Sequence, residues 1–520
     1  MDTTSDSLFS KVSDGRNMGP ICLIIPPSLF LLDARTFMFL GILRIAAVLE
    51  KAGVTVHVMD LSGFSNFLDI VSDFAVTRKE VSCFAITATT PQMPAVTEIV
   101  SVLRQKRPDA KVILGGTHIT LVSTAHKWEV KKEIIGRATE AMHQMDKMFD
   151  VLVAGDGEEA IFLAMKSDCP KMIDADEMSS PLFLNNSQLN ALPFPARHLV
   201  DVSSYHYSID GVPTISLIAQ LGCPFACGFC GGRASPMLRK VRTRTSQNIV
   251  DEMVHLYQKY GVRGFMLYDD ELNVNPKMIE LMCLIAKTQK DLGVEWRLRG
   301  FIKAELFTKE QAVAMHEAGF RWILTGFESG SPRILENINK KANREENTRC
   351  VELAHEAGLK VKALMSIGHP GETRETIEQT REWLLLARPD DFDVSIITCY
   401  PGTPYYDEAI LHESFSDVWV YTYQKTGDKL YQFHIDHNKV SDYYKGDPNG
   451  GYRAYVYTDS LSREDLVSLR GMVEEDVRQN LGIPFNQSAP TMYYEHSMGQ
   501  SGQFPTNILR TSRTSHPSIK

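Results

Sequence analysis

The chain has 520 residues, which at roughly 150 residues per domain allows about three domains with cores of their own. Its composition, 43% hydrophobic, 23% charged and 9% aromatic, excludes a disordered chain, a collagen-like repeat and a coiled-coil rod. A net charge of −9 is the wrong sign for a general polyanion binder, so no nucleic-acid partner is expected. Nine cysteines are too few for a disulfide scaffold, and their odd number suits a reducing compartment. Pro26 and Pro27 interrupt the apolar stretch Ile21 to Leu32, and Arg44 interrupts Phe37 to Leu49. Neither stretch supplies the roughly 20 apolar residues of a membrane span, and the polar start has no signal core. A cytoplasmic protein with no membrane partner is the expectation.

After a polar tail over 1–20, the residues 21–165 alternate strand and helix. Short apolar runs predict strands at Ile21–Pro27, Val54–Asp60, Val81–Thr89, Lys111–Gly116 and Asp150–Glu159. Helical spacing predicts helices at Phe39–Gly53, capped by Gly53, and at Pro91–Arg107. This is the pattern of a doubly wound, Rossmann-like parallel sheet, whose ligands bind beyond the strands' carboxyl ends. The segments Pro27–Phe30, Thr87–Thr90, Gly115–His118 and Gly155–Glu158 are therefore expected along one crevice. Prolines mark 166–210 as a connector.

A second series follows over 211–410. Thr214–Gln220, Gly264–Asp270, Val294–Gly300, Phe320–Gly330, Lys360–Gly368 and Phe392–Gly402 read as six strands, with amphipathic helices such as Ser246–Tyr260 and Thr373–Ala387 between them. Six such units predict a partial (β/α)6 barrel of the TIM type, with chemistry at its carboxyl ends. Over 411–520 the periodicity weakens. Tyrosines cluster there (Tyr421, Tyr423, Tyr431, Tyr443, Tyr444, Tyr452, Tyr455 and Tyr457), Arg463 to Asn480 reads as a helix, and Gly502 to Lys520 as a polar tail.

The sharpest signal is "QLGCPFACGFCGGR", where Cys223, Cys227 and Cys230 follow the first barrel strand on a glycine-containing loop. Three thiolates so close can hold three irons of a 4Fe–4S cluster, leaving the fourth iron open for another ligand. Structural zinc is the competing reading, but it wants four ligands, and the other six cysteines are scattered.

The loop resembles the signature of the radical S-adenosylmethionine (radical SAM) superfamily, with Phe229 just before the third cysteine. The resemblance extends over Thr214 to Asp407. "YDDEL", with Asp269, Asp270 and Glu271, stands where that family holds the amino group of S-adenosylmethionine. "GFESGSPRILENINK" resembles its ribose-contacting segment, with Glu328 and Ser329 as the implied contacts. "GHPGET", with Gly368, and "YPGTPYYD" resemble later strand ends near adenine and substrate. Each has a plainer reading: the three carboxylates as a solvated turn or helix cap, Glu328 as a surface ion pair, "GHPGET" as a turn opening a helix. Their order sets them above it. Arg299 is a candidate for a carboxylate of S-adenosylmethionine or substrate, or for a structural ion pair.

The first domain resembles the cobalamin-binding domain that precedes many radical SAM enzymes, through "IIPPSLF", "GILRIAAVLEKAGVTVHVMD", "ILGGTHIT" and "VAGDGEEA". The cofactor contacts this implies are Pro26, Pro27, Ser28, Thr87, Gly115, Gly116, His118, Gly155, Gly157 and Glu158. The Asp-x-His-x-x-Gly loop of base-off cobalamin domains is missing; "LLDARTFMFLG" offers Asp33 and Arg35 but no histidine. His118 is read as a contact to cofactor or backbone rather than a cobalt ligand. The resemblance implies a 4Fe–4S cluster, S-adenosylmethionine and cobalamin as cofactors, an electron donor such as flavodoxin or ferredoxin, and a small-molecule substrate. It implies methylation of an unactivated carbon, with a porphyrin-cyclase-like oxidative rearrangement and a non-enzymatic cobalamin or redox sensor as alternatives. Cys399, near the end of the last strand, is a weak catalytic candidate beside the inert reading of a buried thiol. The tyrosine-rich extension is a candidate lid.

Overall fold

The computed structural model describes residues 18–28, 34–442 and 453–484. Most of the N-terminal tail, Phe30, Asp33, Tyr443, Tyr444, Tyr452 and the polar C-terminal tail lie outside the described residues.

Six strands form the first sheet: β1 (Ile21–Ile25), β2 (Val56–Asp60), β3 (Cys83–Thr87), β4 (Lys111–Gly115), β5 (Val151–Gly155) and β6 (Met172–Ala175). Their order is β2-β1-β3-β4-β5-β6 and every pairing is parallel. All five residues of β1 are buried because the sheet is covered on both faces. Ile21, Leu23 and Ile25 join one core and Cys22 and Ile24 the other, as the two-residue side-chain period requires. The helix Leu40–Lys51 packs its apolar stripe into the first core, and Phe67–Thr77 and Met93–Lys106 pack into the second. Gly53 (φ +83°) turns the chain out of the first helix. Strand order reverses beside β1, which opens a crevice at the carboxyl ends.

β6 falls inside the segment read from sequence as a connector. Its four residues, Met-Ile-Asp-Ala, are too short to show a period, yet Ile173 and Ala175 are buried in the first core.

The second sheet begins with a hairpin of β7 (Ser208–Ile209) and β8 (Val212–Leu217). A two-stranded ribbon of β9 (Gln220–Leu221) and β10 (Arg242–Thr243) then clasps the base of the cysteine loop. β11 (Gly264–Leu267), β12 (Arg297–Phe301), β13 (Phe320–Glu328), β14 (Lys360–Ile367) and β15 (Asp391–Ile396) complete the sheet in the order β15-β14-β13-β12-β11-β8-β7. β8 and β11 to β15 are parallel, so the six predicted strands make a half-barrel.

The extension forms an antiparallel sheet of β16 (Ile410–Leu411), β17 (Val418–Thr422), β18 (Lys429–Phe433) and β19 (Val456–Tyr457), followed by the helix Arg463–Leu481. That helix seals the open edge of β15. Glu474 accepts the Val394 amide at 2.6 Å, and Arg470 Nε donates to the Val394 carbonyl at 2.8 Å. The described tyrosines pack on the sheet, Tyr431 and Tyr457 stacking at 4.7 Å. No described helix is long and apolar enough to cross a membrane.

Candidate active site

The carboxyl ends of the two sheets face one another across a cavity of about 730 Å³. The first sheet contributes Ser28, Thr87, Gly115, Gly116, Gly155, Gly157 and Glu158; the barrel side contributes Leu221, Gly222, Tyr268, Asp270 and Tyr400. A buried ion pair between Asp156 and Arg242 joins the two halves at its rim.

The glycines make a cradle. At Gly116 (φ +96°) a Cβ would lie 2.7 Å from Thr87 Oγ1 and 2.8 Å from the Ala88 nitrogen. At Gly157 it would meet Ile45 Cδ1 at 2.7 Å, while at Gly115 nothing lies within 4 Å. Gly116 and Gly157 are thus required by close packing of the wall itself, while Gly115 leaves open space beside the cavity. Glu158 is buried against Arg44 at 3.5 Å, a structural use of its charge. Pro26 and Pro27 sit behind the cavity wall: Gln92 Nε2 donates to the Pro26 carbonyl and to Ser28 Oγ, both at 3.1 Å. His118 is buried away from the lining, its Nδ1 3.1 Å from Thr90 Oγ1, and burial pushes its pKa down to about 3. It is a neutral packing histidine here.

The cysteine loop is seated by its backbone. The Gly228 amide donates to the Ile338 carbonyl at 2.8 Å, and the Gly228 carbonyl accepts the Tyr405 amide at 3.2 Å. Burial raises the Cys223 thiol to about 11 and also raises Cys227. Cys230 shows exposed surface, yet the protein packed around it and the neighbouring Cys227 and Cys223 push its thiol up to about 12. Metal binding here would have to displace these protons, because the thiolate is the ligand. The charges of Lys340 and Lys303 oppose the shift at Cys227. Among the described residues no three His, Cys, Asp or Glu side chains converge on a single ion. A cubane asks for no such convergence, because each thiolate binds its own iron. Three cysteines with adjacent cations fit that group.

Adjacent carboxylates on the next strand end have separate tasks. Asp269 is turned inward, its Oδ1 accepting the Ala219 and Gln220 amides at 2.8 and 2.5 Å, and so fixes the chain entering the cysteine loop. Asp270 lines the cavity. Glu271 is half-buried, its buried Oε2 without a hydrogen-bond partner among the described residues; desolvation lifts it to about 7 although Lys340 and Lys303 pull the other way. An unpartnered buried acceptor beside the cysteines fits a cationic ligand group.

Family models agree with this geometry. The Radical SAM superfamily model matches residues 217–384 and the B12 binding domain model residues 37–146. The chain is a radical SAM enzyme with a B12-binding domain. A 4Fe–4S cluster, S-adenosylmethionine and cobalamin are the cofactors of those two domains. An uncharacterized methyltransferase of Pyrococcus horikoshii is 26% identical over 75% of this chain and 83% of its own length. An anaerobic magnesium-protoporphyrin IX monomethyl ester cyclase of Cereibacter sphaeroides is 26% identical over 70% of this chain; the match spans 59% of the cyclase. The radical S-adenosylmethionine methyltransferase TsrM of Kitasatospora setae, solved with cobalamin and a [4Fe-4S] cluster, has the same fold. Its TM-score is 0.61 at 17% identity, over 89% of both chains.

Within the radical SAM domain, Glu328 ends β13 in a left-handed conformation (φ +65°). Lys340 Nζ is 3.2 Å from its Oε1, and Ser366 Oγ donates to Oε2 at 2.8 Å. Ser329 turns instead to Thr380, with 3.1 Å between hydroxyl oxygens. Gly368 lies under the extension, where a Cβ would meet Val456 Cγ2 at 3.1 Å. Arg299 is buried inside the barrel wall, its guanidinium 5.2 Å from the Trp322 ring centroid. Cys399 is buried beside Arg137 and absent from the cavity lining; burial lifts it to about 12. Sequence reasoning missed Lys303, Lys340 and His369. Lys340 ends the quoted "ENINK" and His369 stands in "GHPGET", but their partners are distant in the chain.

Proposed function

We propose that this enzyme methylates an unactivated carbon of a small metabolite. The observation that carries the reading is the shared cavity: glycines of the B12-binding domain and Asp270 of the radical SAM domain line one space. When bound, the cluster and S-adenosylmethionine supply one-electron chemistry that abstracts a hydrogen atom, and cobalamin supplies a transferable methyl group. Cys223, Cys227 and Cys230 hold the cluster. Asp270 and Glu271 take the amino group of S-adenosylmethionine, and Glu328 its ribose. Thr87, Gly115, Gly116, Gly155 and Gly157 bed the cobalamin. Tyr268 and Tyr400 line the cavity from the barrel side. The apolar majority of the wall, including Phe37, Met38 and Leu238, keeps out water that would compete for the substrate. An external flavodoxin or ferredoxin delivers the electron.

An oxidative cyclisation is the second reading, favoured by the likeness to the protoporphyrin ester cyclase. Anaerobic reconstitution with iron, sulfide, cobalamin and S-adenosylmethionine, followed by incubation with candidate metabolites, separates the two. A product heavier by one CH₂ supports methylation. Hydrogen loss or oxygen gain supports the cyclase chemistry. Reduced, fully loaded protein that leaves S-adenosylmethionine intact overturns both.

A further inference from the structure

Glu328 is held in a conformation that side chains with a Cβ adopt at a cost, and a bulge between Gly326 and Glu328 breaks the pairing with β14 there. Such a residue stays aimed only if its surroundings over-determine it. One anchor is Lys340. The other runs through a line of buried polar groups. Ser366 Oγ lies 2.8 Å from Glu328 Oε2 and 2.8 Å from His369 Nε2; His369 Nδ1 lies 3.4 Å from the Tyr405 hydroxyl.

Hydrogen-bond inventory fixes the direction of this line. The Glu328 carboxylate, ion-paired to Lys340, accepts only, so the one Ser366 proton goes to it. Ser366 Oγ then accepts from His369 Nε2–H, which leaves Nδ1 as the acceptor for the Tyr405 hydroxyl. The imidazole must be neutral, in the Nε2–H tautomer. Burial agrees, pushing the pKa of His369 down to about 3.

The far end of the line rests on the cysteine loop. The His369 ring meets the Phe229 ring edge-on at 5.2 Å. The Tyr405 ring sits where a Cβ on Gly228 would lie, 2.5 Å from Cε1. Both loop residues stand between Cys227 and Cys230.

We propose that His369 is a positioning residue that couples the seat of the cysteine loop to the aim of Glu328, and thereby sets the affinity for S-adenosylmethionine. The inference rests on the reading of Glu328 as a contact to that molecule. It adds a function for a histidine that is absent from the cavity lining.

The test uses reconstituted protein and reads S-adenosylmethionine binding by equilibrium dialysis, with iron and sulfide per chain and the electron paramagnetic resonance of the reduced cluster as separate readouts. His369→Leu keeps the bulk against Phe229 and removes both ring nitrogens. It is expected to load iron as the wild type does and to bind S-adenosylmethionine about tenfold more weakly, the loss of roughly one aimed hydrogen bond. Ser366→Ala is expected to do the same, and the double variant to be no weaker than either single, because the two act in series. His369→Gln, whose amide can donate where Nε2–H does, is expected to recover binding to within about threefold. Unchanged binding in His369→Leu, or losses that multiply in the double variant, overturns the proposal. So does failure of every His369 variant to load iron, which would make the residue a support of the loop alone. If the wild type itself, with its cluster intact, does not bind S-adenosylmethionine, the reading of Glu328 fails instead.

Discussion

The guanidinium of Arg137, on a helix of the B12-binding domain, lies over the ring of Tyr406, just before the extension, 3.8 Å from its centroid. Trp419 lies 4.3 Å from the same group, while Gln432 Oε1 and the Tyr406 carbonyl accept its protons at 3.0 and 2.9 Å. This buried fork joins parts of the chain almost 300 residues apart. Arg137→Ala would leave two acceptors unpaired and a void between aromatic rings, and is expected to cost about 2–4 kcal/mol. Arg137→Lys keeps the charge but not the fork and should cost less. Limited proteolysis is the direct measure: cleavage between β16 and β19 should accelerate in the alanine variant before the barrel is cut. Equal cleavage rates would show that the extension is held by other contacts.

The two neighbouring glycines of the first domain should respond differently to a methyl group. Gly115 has open space around its missing Cβ, whereas at Gly116 a Cβ would collide with Thr87 and Ala88 in a backbone conformation that disfavours it. Gly116→Ala is expected to lower thermal stability and cobalamin binding together. Gly115→Ala should leave the melting temperature within a degree or two of wild type yet weaken cobalamin binding at least tenfold. Retention of cobalamin by Gly115→Ala, read from its visible absorption after gel filtration, would remove Gly115 from the bed.

Much of this site was legible because strand–helix alternation announces carboxyl ends, and the side chains there are polar. Thr87, Gly115 and Gly155, expected along the crevice on that ground, line the cavity, as does Asp270, which the resemblance of "YDDEL" singled out. What a short motif does not carry is the phase of a strand as it ends. Asp269 and Asp270 are chemically alike, and only the register of β11 with β8 decides that one caps backbone amides while the other faces the cavity. Ser329 was read as a ribose contact, but its hydroxyl is spent on Thr380, a partner 51 residues away. β6 escaped notice because Met172–Ala175 is too short to show a period, and His369 because its partners, Ser366 and Tyr405, come from different elements.

The nine cysteines divide by environment into three that should matter for iron and six that should not. Replacing Cys223, Cys227 or Cys230 with alanine is expected to abolish stable iron and sulfide loading, since two remaining thiolates leave too many irons open. Cys399→Ala, in the packed region beside Arg137, should load iron normally and lose about 1–2 kcal/mol of stability at most. Iron and sulfide analysis with absorbance near 400 nm checks both. Normal loading after loss of any one loop cysteine, or tightly held zinc in anaerobically prepared protein, would contradict the cluster assignment.

Glu372 gives the fold a calculable dependence on pH. Its carboxyl is buried under the extension, accepting the Thr376 hydroxyl at 2.6 Å and the Gly368 and His369 amides at 3.2 and 3.4 Å. Burial outweighs those donors and pushes it from the usual 4.5 up to about 7. Between these values the folded chain keeps a proton that the unfolded chain has released. The group's contribution to stability is therefore greatest below the unfolded value and falls as pH rises toward 7, above which it is lost. The whole swing is on the order of 3 kcal/mol. Glu372→Gln holds a neutral amide in the same space and removes the titration. Wild-type thermal midpoints are expected to drop between pH 5 and 7.5 relative to those of the variant. Because Gly368 and His369 lie on this turn, the same experiment asks whether the strand end that bears them loosens when Glu372 ionises. Parallel pH profiles for the two proteins would mean that the three donors, not burial, govern this carboxyl.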